Sequence, residues 1–293
     1  KRPPADLFYQ GTPIDAQEAF KLQKENKVDL SKLNPRKSHL WQDRDQQLVL
    51  QNIPDQTYTF HDYKASPTEF FRAFVNGANG KRYLLTASLE NHTNIIRAGL
   101  LRSIGYDIEI PKYYKNISIK FETKSQKERF IELIGEKTLT ERTKWIDSKS
   151  STNTKLVLKD ITLTPAKLNN VNIQVPVMTR ARQKERRIFR ALLGVYTITN
   201  FSQTLNSVNW KIGQKFNGFI SLVHPYANQF SDVSISDLKW TQNRLNTISV
   251  MRLKKIIALA GYPQELNELV LAKLQSRINS LSEHLSLNQI YTP

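Results

Sequence analysis

The sequence predicts an α+β protein of two lobes, a strand-rich N-terminal lobe and a mostly helical C-terminal lobe. Three observations predict it. Alternating and β-branched segments gather before residue 165, amphipathic helical spacing dominates after about residue 180, and a polar loop, S-K-S-S-T-N-T at 148–154, leads into the change. The expected division is an extended N-terminal arm at 1–47, a strand-rich lobe at 48–165 and a mainly helical lobe at 166–293, with the transition between 148 and 180. With 293 residues, 39% of them apolar and 10% aromatic, the chain is long and apolar enough to bury a sizeable core.

The arm is read from Pro3-Pro4, Pro13 and Pro35, with one short helix that Asp15 caps and that Ala16, Ala19, Phe20 and Val28 make modestly apolar. It is expected to lie on the surface of the main body. Gln47 to Ile53 is a strand ended by Pro54-Asp55. Glu69–Asn76 and Arg82–Ala87 flank Gly77-Ala78-Asn79-Gly80, where Asn-Gly tolerates positive φ and favours a hairpin, with a short helix over Glu69 to Val75 as the competing reading. Asn94–Ile104 is a helix that Thr93 or Asn91 caps and Gly105 ends. Tyr113 to Glu122 alternates as a half-buried strand, and Ser125–Ile134 is helical. Lys155–Leu163, Val171–Val177 and Gly218–His224 are further strands. Thr179 to Tyr196 reads as an amphipathic helix. Ala181, Ile188, Leu192 and Val195 share its apolar face, and Arg180, Lys184, Arg186, Arg187 and Arg190 stand opposite. Ser236 and Ser249 look like N-caps and Gly261 like a stop. From Leu266 on, Val270, Leu274, Arg277/Ile278, Leu281 and Leu285 recur at helical spacing.

Composition narrows the chemistry. The absence of cysteine excludes disulfides, thiol catalysis and Cys-ligated zinc. No apolar run approaches a membrane span, and no signal peptide opens the sequence, which starts at Lys1 without Met and reads as processed or trimmed. The absence of cysteine favours export from a bacterial cell, to the periplasm or surface, over a cytosolic protein that also lacks it. Asn91, Asn116 and Asn200 fit N-x-S/T. The net charge is +17, of which 151–215 carries +9, against +1 for 1–64, +5 for 65–150 and +2 for 216–293. Such a local field favours an anionic partner: an acidic protein, a cell-wall polyanion, lipid headgroups or nucleic acid.

No complete active-site motif appears. The five histidines, His39, His61, His92, His224 and His284, show no metal-binding spacing, so no structural metal is expected. In G-A-N-G-K-R at 77–82 the first P-loop glycine is replaced by Val75 and the hydroxyl residue by Arg82. His61-Asp62 reads as a turn, and no G-x-S-x-G elbow occurs. The arginines at 180–190 form the sharpest signal, since guanidinium groups bind phosphate or carboxylate bidentately; the competing reading is a solvated helix face, or one paired with carboxylates elsewhere in the chain. Aromatic residues near them lie on the apolar face, which speaks against base stacking.

The run Y-L-L-T-A-S-L-E-N-H-T-N-I-I-R-A-G-L-L-R-S-I-G-Y-D-I-E-I-P-K-Y from Tyr83 to Tyr113 resembles the N-lobe of atypical kinase-like families, the HipA-type and CotH-type proteins. Arg187 to Asn209 resembles their helix and catalytic loop, Asp237-Leu238-Lys239-Trp240 their metal-binding region, and Ala260 to Arg277 a closing helical pair. The resemblance implies a kinase-like fold and, in an active member, ATP and magnesium handled by Asn206, Asn209, Asp232 and Asp237. Thr86 stands where the family's strand Lys would be, and Asn200-Phe201-Ser202-Gln203 offers no catalytic Asp. Phosphoryl transfer depends on such positioning, so the resemblance implies a pseudoenzyme that needs no cofactor. The expected function is a non-enzymatic interaction domain that engages an anionic partner through the basic helix face. A phosphotransferase and a nucleic-acid binder are the alternatives.

Overall fold

A computed structural model describes residues 2–43, 47–48, 53–66, 69–166, 184–199 and 232–290, with backbone alone for helix residues 284 and 286–290. The chain begins with a small hairpin of β1 (Leu7–Tyr9) and β2 (Thr12–Ile14), then α1 (Ala16–Lys24). Next come β3 (Thr57–Tyr63), β4 (Phe71–Asn76), β5 (Arg82–Ala87), α2 (Asn91–Ser103), β6 (Lys112–Lys120), α3 (Lys124–Thr138), β7 (Ile146–Asp147) and β8 (Lys155–Pro165). The helical part comprises α4 (Arg187–Arg190), α5 (Leu192–Thr199), α6 (Ile235–Leu245), α7 (Val250–Leu259) and α8 (Asn267–Ile290).

The strands close into a five-membered barrel. β5 pairs β4, β4 pairs β3, β3 pairs β6 in parallel, β6 pairs β8, and β8 returns to β5. Closure leaves no open edge around that ring. β8 manages two neighbours by length: Val157 and Leu158 pair with β7, and Thr162 to Pro165 pair with β5. Between the two halves Asp160 adopts φ +54, and its ladder pairing with β6 lapses there. Alternate residues point inward, among them Tyr58, Phe60, Val75, Tyr83, Leu85, Ile117, Ile119, Leu156 and Leu158, all buried. Helix α3, capped by Thr123 Oγ1 on the Gln126 amide, adds Phe130 and Ile134 to this core. Phe130 meets Phe60 at 5.7 Å and Phe71 at 4.7 Å in edge-on contacts.

The second core is helical, and its centre is α2, which the chain inserts between two barrel strands. Ile95, Ile96, Ala98, Leu100 and Leu101 are fully buried against α5 and α7. Gly99 permits the close approach of α7, because a Cβ there would stand 2.7 Å from Ile256. Gly261 ends α7 at φ +74, and the Tyr113 ring occupies the space a side chain would need.

The coarse expectation of a strand-rich N-terminal part and a helical C-terminal part describes this architecture. Several details differ. The segment read as a surface arm contributes a small core of its own, with Leu7, Ile14, Ala19, Leu22 and Leu30, and sends Trp41 into the helical core. Trp41 donates to the Ile104 carbonyl at 3.0 Å. Thr57–Tyr63 is a strand that the sequence reading passed over, and His61, read as a turn, is the extra residue of its bulge between Phe60 and Asp62. Helix α2 starts without a side-chain cap, so neither Thr93 nor Asn91 serves as one. The cap of α6 is Ser234 in a capping box with Asp237, two residues before the expected Ser236. Ser249 caps α7 as expected. Val171–Val177 and Gly218–His224 lie outside the described residues, as does most of Gln47–Ile53. Among the described residues no helix is long and apolar enough to cross a membrane.

Candidate functional site

The arginine segment folds differently from one continuous amphipathic helix. Arg180 lies outside the described residues. At Arg186 the backbone is extended, with φ −103 and ψ 135, and helix restarts at Arg187. That break turns the next residues inward, so Arg187 and Arg190, expected on an exposed face, are 0% and 3% accessible. Their donors are engaged inside. Arg187 Nε donates to Asp237 Oδ1 at 3.0 Å, and its Nη1 donates to the Leu30 and Leu33 carbonyls, each at 2.6 Å. Arg190 Nε donates to the Lys184 carbonyl at 2.6 Å, and its Nη1 donates to the Arg2 carbonyl and lies 3.6 Å from Asp237 Oδ2. Lys184 and Arg186 are half-buried, and Arg186 stands 3.7 Å from Asp6. Arg187 and Arg190 therefore tie the N-terminal segment to α6. The correction to the expected basic face has a simple cause: helical spacing assigns faces only while the helix is unbroken.

The alternative catalytic set fares as follows. Asn206 and Asn209 lie outside the described residues, and Asp232 is half-buried in the turn before α6. Asp237 is wholly buried, with Oδ2 accepting from the Ser234 amide and hydroxyl at 3.0 and 2.8 Å while the two guanidiniums flank the carboxylate. Three hydrogen bonds and two flanking guanidiniums enclose this carboxylate, so it does not fit a magnesium ligand. Among the described residues no group of three or more His, Asp or Glu side chains is placed to hold a metal ion. Asp6 shares the cluster, accepting from the Arg187 amide at 2.6 Å. Burial nevertheless raises its pKa, against the lowering effects of that hydrogen bond and of Arg186.

A second cluster joins barrel to helices. His92 Nδ1 lies 2.6 Å from the Ala260 carbonyl, which only accepts, so that nitrogen carries the proton. The ring stacks on Tyr262 at 4.6 Å and tilts against Tyr113 at 4.9 Å. The Tyr113 hydroxyl donates to Asp160, and Asn91 donates to the Asp160 carbonyl at 2.7 Å. Burial, then the Asp160 bond, drives the Tyr113 pKa up. This cluster reads as a latch that holds α2 and the end of α7 against β6 and β8.

The arrangement with open chemistry is on the outside of the barrel. Pairing registers place Arg82, Asn76, Thr59, Lys120 and Lys155 side by side on five successive strands, β5, β4, β3, β6 and β8. Their inward-pointing neighbours Tyr83, Val75, Tyr58, Ile119 and Leu156 are buried, so the row faces outward. Arg82, Thr59 and Lys120 are exposed, and Asn76 and Lys155 are half-buried. In the next rows Ser118 pairs Thr57 and Val157, and Asn116 pairs Lys159. The five barrel strands hold seven Lys or Arg and two carboxylates, Asp62 and Asp160, neither in this row, and Asp160 is bound by Tyr113. Asp147 on β7 is the acid beside Lys159. Lys120 and Lys155 stand directly opposite each other, a like-charge pairing that costs the sheet stability.

Neither family models, nor curated proteins, nor solved structures match this chain. The reading of the site therefore rests on its own geometry. Sequence reasoning singled out the segment with the densest charge and missed the row. The signal was present as lysines at 120, 155 and 159 on the polar side of alternating segments. What was missing is the register, which alone brings residues 82, 76, 59, 120 and 155 together.

Proposed function

We propose that this protein is a non-enzymatic interaction domain that engages an anionic partner, through the outward row of the barrel rather than through the helix at 180–190. The observation that carries the reading is the facing pair Lys120 and Lys155, with Thr59 beside Lys120 and no carboxylate interposed. A like-charge cross-strand pair costs stability in the isolated protein, and an anion laid over it removes that cost. The test is retention on an immobilised polyanion such as dextran sulfate. Lys120→Ala/Lys155→Ala is expected to elute at clearly lower salt than the parent chain, and unchanged elution would remove the reading.

A kinase-like origin with lost catalytic groups would suit such a role, but the closed five-strand barrel lends it no particular support and the site supplies no observation in favour of phosphotransfer. Thr86 is buried on β5 where the resemblance would want Lys, and Asp237 is enclosed by Arg187, Arg190 and Ser234. Thermal unfolding with ATP and magnesium checks this: a large stabilisation accompanied by turnover would replace the interaction reading.

A further inference from the structure

We infer that the anionic partner of the barrel row is the phosphate backbone of a double-stranded nucleic acid, bound without regard to base sequence. The inference rests on the reading of the row as an anion-binding face and goes beyond it by naming the occupant. The side chains on adjacent β3, β6 and β8 are those that contact phosphate oxygens: Lys120, Lys155 and Lys159 as cations, Thr57, Thr59 and Ser118 as hydroxyls, and Asn116 as an amide. Because the barrel is closed, one duplex meets only a sector of the row, that of β3, β6 and β8, where strand spacing of about 4.8 Å sets Thr59, Lys120 and Lys155 across roughly 10 Å, the length of about three successive charges along one duplex strand.

Other anionic surfaces ask for groups that the row lacks. Protein partners are anchored by aromatic residues and arginine around an apolar centre, whereas here the cations are lysines and the apolar side chain between Lys155 and Lys159, Val157, is buried. A membrane surface rewards an apolar wedge beside the cations. Single strands need exposed aromatic platforms for their bases. Phe74, on the same outer side of β4, already lies under Lys64 at 5.3 Å and Arg82 at 5.9 Å. The faces of a duplex that remain are its phosphates, which charge and hydroxyl groups read without bases.

The experiment is fluorescence anisotropy of the full chain with a labelled 20-base-pair duplex of arbitrary sequence, beside a 20-nucleotide single strand, polyglutamate and phosphatidylglycerol vesicles. The duplex is expected to bind regardless of sequence, with affinity falling steeply as salt rises. Lys120→Ala/Lys155→Ala is expected to weaken binding at least tenfold near 50 mM salt and to flatten the logarithmic salt slope by about 2, one for each phosphate that a lysine no longer neutralises. Lys254→Ala/Lys255→Ala on α7, outside the row, is expected to bind like the parent. Duplex binding that ignores Lys120 and Lys155 overturns the inference. So does binding of polyglutamate or vesicles, dependent on those lysines, without binding of the duplex, and that result leaves the broader anionic reading standing. Failure of all four probes removes both.

Discussion

Asp237 shows how much one side chain carries. It is wholly buried, closes the capping box of α6 and balances two buried guanidiniums that hold the Leu30, Leu33 and Arg2 carbonyls. Removing one partner of such a set leaves charge uncompensated in a dry site. Asp237→Asn is expected to lose about 3–5 kcal/mol in urea unfolding; a loss under about 1 kcal/mol would mean that the arginines find other partners. Asp6 gives a pH signature. Its folded pKa is raised, so between its ordinary 3.8 and the raised value the native state holds more protons than the unfolded chain. Stability then falls as pH rises through that window and is flat in this group's contribution below 3.8. Asp6→Asn is expected to flatten melting temperature against pH in that window, and an unaltered profile would contradict the burial argument.

At the scale of elements, β6 and β8 carry the like-charge pair on which the proposed anion binding rests. Lys155→Glu turns a repulsive cross-strand pair into an attractive one, and it is expected to gain about 0.5 kcal/mol while losing retention on polyanions. A structural role alone would give the first effect without the second. Helix packing has its own checkpoint in Gly99, where α2 touches Ile256 of α7. Gly99→Ala forces a Cβ to 2.7 Å from that side chain, and a loss of about 1–3 kcal/mol is expected from thermal unfolding. The break at Arg186 matters at the same scale. Four residues of helix and one extended residue decide whether Arg187 and Arg190 meet solvent or Asp237.

For the whole molecule, the N-terminal segment, the barrel and the helices are interlocked through α2 and Trp41. Trp41 is fully buried and meets Trp240 edge-on at 6.0 Å, and the Arg244 guanidinium lies 5.5 and 5.6 Å from the two rings. Trp41→Ala is expected to cost about 3–5 kcal/mol and to destabilise the helical core, although the mutated residue belongs to the segment that composition alone would set aside as an arm. Circular dichroism of the helices against temperature reports this, and an unchanged midpoint would mean that the segment is peripheral.

The sequence by itself determined the α+β class, the β4–β5 hairpin at Asn79-Gly80, the caps at Asp15 and Ser249, the stop at Gly261 and the excess of positive charge. These depend on neighbours within a few residues, where propensity and spacing act directly. Tertiary structure decided the rest. It closed the strands into a barrel, moved α2 into the helical core, buried Arg187, Arg190 and Asp237 together, and aligned Arg82, Asn76, Thr59, Lys120 and Lys155. Each of these depends on register or on a single break in a helix. A shift of one residue in a strand reverses every face, and no local pattern within one strand records which residue of another it will meet.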